Sequence, residues 1–297
     1  MADRIITEEE PMKHHNYFEG WYFKHQGQEQ AFAVIPALHY DRVGKRTATL
    51  QIITPESSDC VFFHNDEIRT DQKRKMLQLG ANYFAENGIK LSLKGSNIQA
   101  EGALEYGPWK LPNSSAMGPF QWIYGLPCYH RVESLSHSIM GRMQLNGQLY
   151  SFDGGIGYVE GDRGKNFPRS YLWTQCGWHG EEEYSVMAAV AELPMMGFFI
   201  TGCVAMILAG GRQWKISTYQ GAKILRYDEL EVELIQKNLR LRIALIKPEE
   251  QPLQAPKNGV MARVICESLQ ATVRYRFWEG DRLVFDMTSP RASFEKA

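Results

Sequence analysis

The chain has 297 residues, with 33 Lys and Arg against 34 Asp and Glu, a formal net charge of -1 and a pI near 6.7. That neutral balance argues against a nucleic-acid binder, which usually shows a basic footprint. Apolar residues make up 44%, which excludes wholesale disorder, and the length suits two domains or one large β domain.

The N-terminus, MADRIITEEEP, is polar and acidic and carries neither a signal nor a transit pattern. His14-His15 follows it and is not read as a metal site. An aromatic run begins at Trp21, and Asp71–Leu79 is read as a short helix. Asn87-Gly88 marks a hairpin, after which Ile89, Leu91 and Leu93 alternate with Lys90, Ser92 and Lys94. Asn146-Gly147 is a second hairpin signal. Leu193–Gly211 holds 19 residues without a charge. Pro194, Gly197, Gly202, Gly210 and Gly211 interrupt it, and a span needs about 20. The reading is a buried strand followed by a Gly-Gly turn, with peripheral membrane contact left open. Further on, Val273, Tyr275 and Phe277 alternate with Arg274 and Arg276 before a turn at Glu279-Gly280-Asp281. Five cysteines, widely spaced and without a C-x-x-C, argue against a disulfide framework or a zinc site. A reduced, cytoplasmic chain without a metal is expected.

The sequence also repeats itself. Trp21, Phe32 and Val34 return at an offset of 152 as Trp173, Tyr184 and Val186. Glu133-Ser134-Leu135 returns as Glu267-Ser268-Leu269, and Phe152-Asp153 as Phe285-Asp286. The common order of these matches predicts an all-β chain of two tandem antiparallel β-barrels related by internal duplication. The expected boundary divides residues 1–165 from 166–297, where Gly164 and Pro168 break any element.

No phosphate-binding loop, dinucleotide fingerprint, G-x-S-x-G or H-E-x-x-H occurs, so no cofactor is expected. The dense region runs from Gly118 to Gln175 and mixes carboxylates, histidines, aromatics and glycines. In a barrel, alternation sends one set of side chains inward, and if Asp153 and Glu160 point into an aromatic-lined cavity there, desolvation would make them proton donors at neutral pH. The competing reading gives Asp153 to a turn and pairs Glu160 with Arg163 or Lys165. Cys128 with His130 or His137 lacks the orienting third group of a thiol nucleophile and is read as structural.

Several motifs resemble the tocopherol cyclase family. Tyr17-Phe18-Glu19-Gly20-Trp21-Tyr22-Phe23-Lys24 looks like its opening motif. Gly118-Pro119-Phe120-Gln121-Trp122, Pro127-Cys128-Tyr129-His130 and Ser136-His137-Ser138 look like its central segment. Gly157 to Pro168, then Trp173-Thr174-Gln175, resembles its signature, with Gly161 and Arg163 standing where the family often has lysine and tryptophan. The likeness is firm from Tyr17 to Trp178 and thinner beyond. It implies lipocalin-like barrels and a cofactor-independent enzyme that closes a chroman ring on a prenylated quinol. An acid protonates the prenyl double bond and the phenol oxygen attacks the cation. Glu160, which keeps the family glutamate, is the first candidate acid, with Asp153 second and Asp162 third; His130 or His137 would take the phenol proton. Glu19, Trp21, Trp122, Tyr129, Tyr158, Trp173 and Gln175 are the expected substrate contacts. The partner is then an apolar prenylated aromatic, with oligomeric state undetermined. The alternative is a lipocalin-like carrier of an apolar prenyl lipid, which needs the cavity but no acid.

Overall fold

The protein is described by a computed structural model that covers residues 15–297 apart from 29, 72, 74, 196 and 197. His14 and Gly197 thus lie outside the described residues. The chain forms two antiparallel sheets. The first contains β1 (Tyr17–Gln26), β2 (Ala31–Tyr40), β3 (Arg46–Ile53), β4 (Ser58–Phe63), β5 (Ile68–Asp71) and β6 (Met76–Leu79). It continues with β7 (Asn82–Ala85), β8 (Gly88–Lys94), β9 (Gln99–Tyr106), β10 (Cys128–Leu145), β11 (Gln148–Ser151) and β12 (Gly155–Gly164). The second contains β13 (Tyr171–His179), β14 (Glu183–Met195), β15 (Phe198–Ala209), β16 (Arg212–Ser217), β17 (Lys223–Tyr227) and β18 (Glu231–Gln236). β19 (Leu239–Lys247), β20 (Glu250–Lys257), β21 (Val260–Glu279) and β22 (Arg282–Lys296) complete it.

The strand orders repeat. The first sheet runs β4-β3-β2-β1-β12-β10-β9-β8-β7-β6-β5, and the second β16-β15-β14-β13-β22-β21-β19-β18-β17. In both, the first strand of the half pairs with the last, so each half curls into an antiparallel, lipocalin-like barrel left open between β4 and β5 in the first and between β16 and β17 in the second. Each barrel surrounds its own core. Phe23, Phe32, Leu50, Leu91 and Phe152 fill the first; Val186, Ile207, Leu241, Val273 and Phe277 fill the second. The alternation read from sequence holds: Ile89, Leu91 and Leu93 are buried while Lys90, Ser92 and Lys94 are exposed. Asn146 and Gly147 take φ of 49° and 86°, the left-handed pair that a two-residue hairpin turn needs.

Two expectations about elements fail. Of the stretch read as a helix, Asp71 ends β5 and Met76–Leu79 forms β6, because Leu77 and Leu79 fit the barrel core at period two; residues 72 and 74 lie outside the described ones. Leu193–Gly211 is not one strand. Leu193 lies in β14, Phe198–Ala209 is β15, and Gly210-Gly211 makes the expected turn to β16. Phe198 and Phe199 are exposed. Among the described residues no helix is long and apolar enough to cross a membrane.

The two halves grip each other reciprocally. From the first, residues 107–127 cross the second: Asn113 donates its backbone N–H to Gln213, and the Lys215 ammonium donates to Ser114. From the second, the β20–β21 hairpin crosses the first. There Gln51 and the Gln254 backbone exchange two hydrogen bonds of 2.9 and 2.8 Å. A third apolar cluster, with Tyr22, Ile53, Tyr158, Trp173, Met187 and Leu269, fills the space between the barrels.

Candidate active site

A cavity of about 220 Å³ lies between the two barrels. The sequence reading expected a cavity inside a barrel; there, large side chains close the space, as the two packed cores show. Between the barrels the facing positions include Gly20, Ala37, Ala189, Ala191 and Gly202, which are too small to fill the gap. The rest of the wall is mostly aromatic and aliphatic, with Phe18, Trp21, Phe167, Tyr171 and Trp173.

Into this apolar wall β12 and β10 insert a polar cluster. Residues 160 and 162 alternate onto one face of β12, and His130 sits opposite Asp162 in the β10–β12 ladder. Glu160 is 5% exposed. Its Oε2 accepts from the Tyr158 hydroxyl at 2.5 Å and from Trp173 Nε1 at 3.1 Å, and lies 3.7 Å from His130 Nε2. His130 Nδ1 meets Asp162 Oδ1 at 3.1 Å. Burial and the neighbouring Asp162 raise Glu160 to about 7, against the pull of His130, Tyr158 and Trp173. Burial alone would lower His130, but Glu160 and Asp162 outweigh it and raise it to about 9. Beside two carboxyls, His130 favours its protonated form, which counts against the phenol-base role expected from sequence.

Two further carboxyls line the same cavity, both from the second barrel and neither among the site residues expected from sequence. Glu267 on β21 accepts from the Tyr22 hydroxyl at 2.5 Å. Glu295 on β22 accepts from the Tyr171 hydroxyl. With Tyr158 and Glu160 they make three tyrosine–glutamate pairs around one apolar space. The Glu133-Ser134-Leu135 repeat pointed at Glu267 as a matched position, but only as a mark of duplication.

The other expected site residues divide. Trp21 and Trp173 both border the cavity and are 2% and 6% exposed. Tyr158 does not border the cavity and reaches it only by its hydrogen bond to Glu160. Cys128 borders it as a thiol whose proton is held by burial and by Asp162, so it is no nucleophile. Glu19 is buried behind the wall, where Arg131 Nη2 donates to it at 2.9 Å. Gln175 is buried on the Trp173 face of β13 without bordering the cavity, and its backbone carbonyl accepts from Lys24.

Four assignments are corrected. Asp153 sits in an exposed turn, where it accepts from the Gly141 N–H at 2.7 Å and from Ser151; a hydrogen-bonded turn carboxylate is held low, not raised. His137 is buried away from the cavity, stacked on Trp109 and bonded to Ser134, and desolvation lowers it to about 3. Trp122 ends a short 3-10 helix (Gly118–Trp122) and is 81% exposed. Tyr129 turns outward, its hydroxyl donating to the Ile123 carbonyl at 2.6 Å and its ring 5.7 Å from the Arg163 guanidinium carbon.

The ligating atoms of His130, Glu160 and Asp162 lie within 4.8 Å of one another, a spread that a metal ion would accept. Glu160 Oε2 accepts two hydrogen bonds and His130 Nδ1 meets Asp162 Oδ1, while the buried His130 Nε2 has no hydrogen-bond partner among the described residues. The arrangement suits proton transfer.

No family model and no curated protein matches the chain. Solved structures match its fold. A candidate AttH protein from Nitrosomonas europaea is 12% identical with a TM-score of 0.56, over 100% of this chain and 98% of that one. CghA with Sch210972 is 9% identical with a TM-score of 0.57, over 95% and 88%. Kievitone hydratase from Nectria haematococca is 10% identical with a TM-score of 0.52, over 98% and 91%. At these identities the likeness is one of fold.

Proposed function

We propose that the protein is an acid–base enzyme that closes a chroman ring on an apolar prenylated quinol, as the motif resemblance to the tocopherol cyclase family implies. The observation that carries this reading is Glu160. A carboxyl whose proton affinity lies near neutral sits in an aromatic wall, held by Tyr158 and Trp173 and flanked by His130 and Asp162. Such a group exchanges protons with substrate at neutral pH. That kievitone hydratase, by name an enzyme that adds water, shares the fold is in keeping with such chemistry.

The chemistry needs three things. A carboxyl must give a proton to the prenyl double bond, leaving a tertiary cation. The cation must be sheltered, which the faces of Tyr22, Tyr171 and Trp173 supply through their quadrupoles. The phenol oxygen must then form the C–O bond as its proton leaves for a base. The reaction is an isomerisation and consumes no reagent. A carrier of prenyl lipid would need the cavity alone, and three buried carboxyls would burden it.

Turnover of prenylated hydroquinones by wild-type protein, followed by chromatography of the chroman product, tests the proposal. Glu160→Gln is expected to lose at least about a hundredfold in kcat while still binding the quinol. Asp153→Asn is expected to stay within about twofold, as for a surface change remote from the site. Binding without turnover by wild-type protein would instead support the carrier.

A further inference from the structure

Glu160 is one carboxyl, and the reaction needs both a proton donor and an acceptor. We propose that Glu267 is the donor that protonates the prenyl double bond and that Glu160 is the base that takes the phenol proton. This assignment rests on the acid–base reading above and deepens it.

The two residues come from different barrels and meet at one cavity. Tyr22 lies opposite Glu160 in the β1–β12 ladder, packs its ring 5.2 Å from that of Trp173, and donates its hydroxyl to Glu267. Trp173 in turn donates to Glu160. The chain Glu160–Trp173–Tyr22–Glu267 is therefore contiguous, and its two ends border the same apolar space.

Their surroundings differ in a way that divides the labour. Burial and Asp162 favour the neutral form of Glu160, but two neutral donors on one oxygen and the neighbouring His130 favour its ionised form. Glu267 has one hydrogen bond, from Tyr22, whose hydroxyl also meets Ser293 at 2.9 Å. The Glu160 carboxylate across the cavity raises Glu267 further, since two like charges beside one apolar space are unfavourable. Lys24 attracts it, but the Lys24 ammonium is held by the Gln175 and Arg291 carbonyls. Burial raises Glu267 to about 8, against about 7 for Glu160. Glu160, with two hydrogen bonds on one oxygen and His130 beside it, is thus the carboxyl better held ionised, and Glu267, with one, the carboxyl better held neutral.

The step balances. The Glu267 O–H breaks and its proton goes to the less substituted alkene carbon, whose π electrons form the new C–H bond. The phenol oxygen gives a lone pair to the tertiary carbon, and its proton passes to Glu160. Return of a proton from Glu160 to Glu267 resets the site.

Deuterium distinguishes donor from acceptor. Wild type, Glu160→Gln and Glu267→Gln are each incubated with a prenylated hydroquinone in D2O, and recovered substrate and product are read by mass spectrometry. Glu160→Gln is expected to wash deuterium into recovered substrate, through reversible cation formation, while cyclisation falls at least about a hundredfold. Glu267→Gln is expected to do neither. Exchange or cyclisation by Glu267→Gln within tenfold of wild type overturns the assignment, as does exchange by that variant alone. Tyr22→Phe keeps the question answerable if Glu267→Gln does not fold. Loss of its hydrogen bond should move only the basic limb of the kcat profile, upward. An unmoved basic limb counts against Glu267. Absence of wild-type turnover overturns the acid–base reading itself, which is a separate result.

Discussion

The Trp173 indole donates its Nε1 hydrogen to Glu160 Oε2 at 3.1 Å, tying the first strand of one barrel to the last strand of the other. That bond favours the glutamate's ionised form. Trp173→Phe keeps an aromatic face at the cavity but removes the donor. The Glu160 carboxyl should then hold its proton more tightly than it does at about 7. Acting as a base, it must lose that proton first, so the acidic limb of the kcat profile should move to higher pH. A limb that stays in place or moves down would show that Trp173 does not tune Glu160.

Stability should fall as pH rises from 6.5 to 8. Glu160 and Glu267 titrate near 7 and 8 when folded, above the ordinary 4.5. Their contribution is complete below 4.5 and is lost as pH climbs through 7 and 8. His130, raised to about 9 from 6.5, has the same sign. His25 and His137, both lowered to about 3, have the opposite sign and lose their contribution as pH falls below 6.5. Lys24, lowered to about 8 from 10.5, also has the opposite sign, and it recovers stability only as pH rises from 8 to 10.5. Across 6.5 to 8 Glu267 and His130 therefore dominate, each by up to roughly 1.4 kcal/mol per pH unit, while Glu160 has lost most of its contribution by about 7. Urea midpoints should decline over that interval, and Glu267→Gln should flatten the decline. A midpoint that rises there would contradict the sign.

Arg131 should be the costliest charged residue to remove. Its Nη2 bonds Glu19 at 2.9 Å, its Nε bonds Glu133 at 2.5 Å, and its guanidinium carbon lies 5.5 Å from the Trp21 ring centroid. Both carboxylates are buried. Arg131→Met strands the charge they share a cation with, at about 3–5 kcal/mol. Arg131→Lys keeps a charge but loses the planar fork, and should fall between. A loss below about 1 kcal/mol for Arg131→Met, which is the range of an exposed pair, would refute the buried bridge.

Period-two alternation and turn dipeptides made the barrels legible, because a strand with one wet face must alternate whatever it packs against. Alternation does not say what a buried outer face meets. The sequence therefore placed the ligand space inside a barrel, when Tyr22 and Trp173 face the other barrel instead. Facing also separates the matched tryptophans: Trp21 packs in the first core and Trp173 in the interface cluster. Val34 pairs with Phe23, yet its counterpart Val186 pairs with Cys176, one residue past the Gln175 that the repeat assigns. The second hairpin is a residue shorter, and a one-residue change flips a strand's faces. Glu160 was found because it lay in a recognisable motif. Glu267 and Glu295 lie beyond Trp178, where the resemblance thins, and only the fold brings them to the site.

Gly157 should accept a side chain only at a cost, because it packs against the His137 ring. It opposes His137 in the β10–β12 ladder, and a Cβ there would stand 2.1 Å from His137 Nε2. The imidazole cannot swing aside cheaply. Its Nδ1 is bonded to Ser134 Oγ at 2.9 Å, and its ring lies 4.5 Å from that of Tyr106 and 5.7 Å from that of Trp109. Overpacking of this kind costs about 1–3 kcal/mol. His137→Ala opens the space, so the double variant with Gly157→Ala should cost less than the two singles combined. Because this cluster lies off the cavity, folded Gly157→Ala and His137→Ala should each keep kcat within about twofold, as remote changes do. Additive costs in the cycle would refute the steric account, and a hundredfold loss of kcat in His137→Ala would return that histidine to the chemistry.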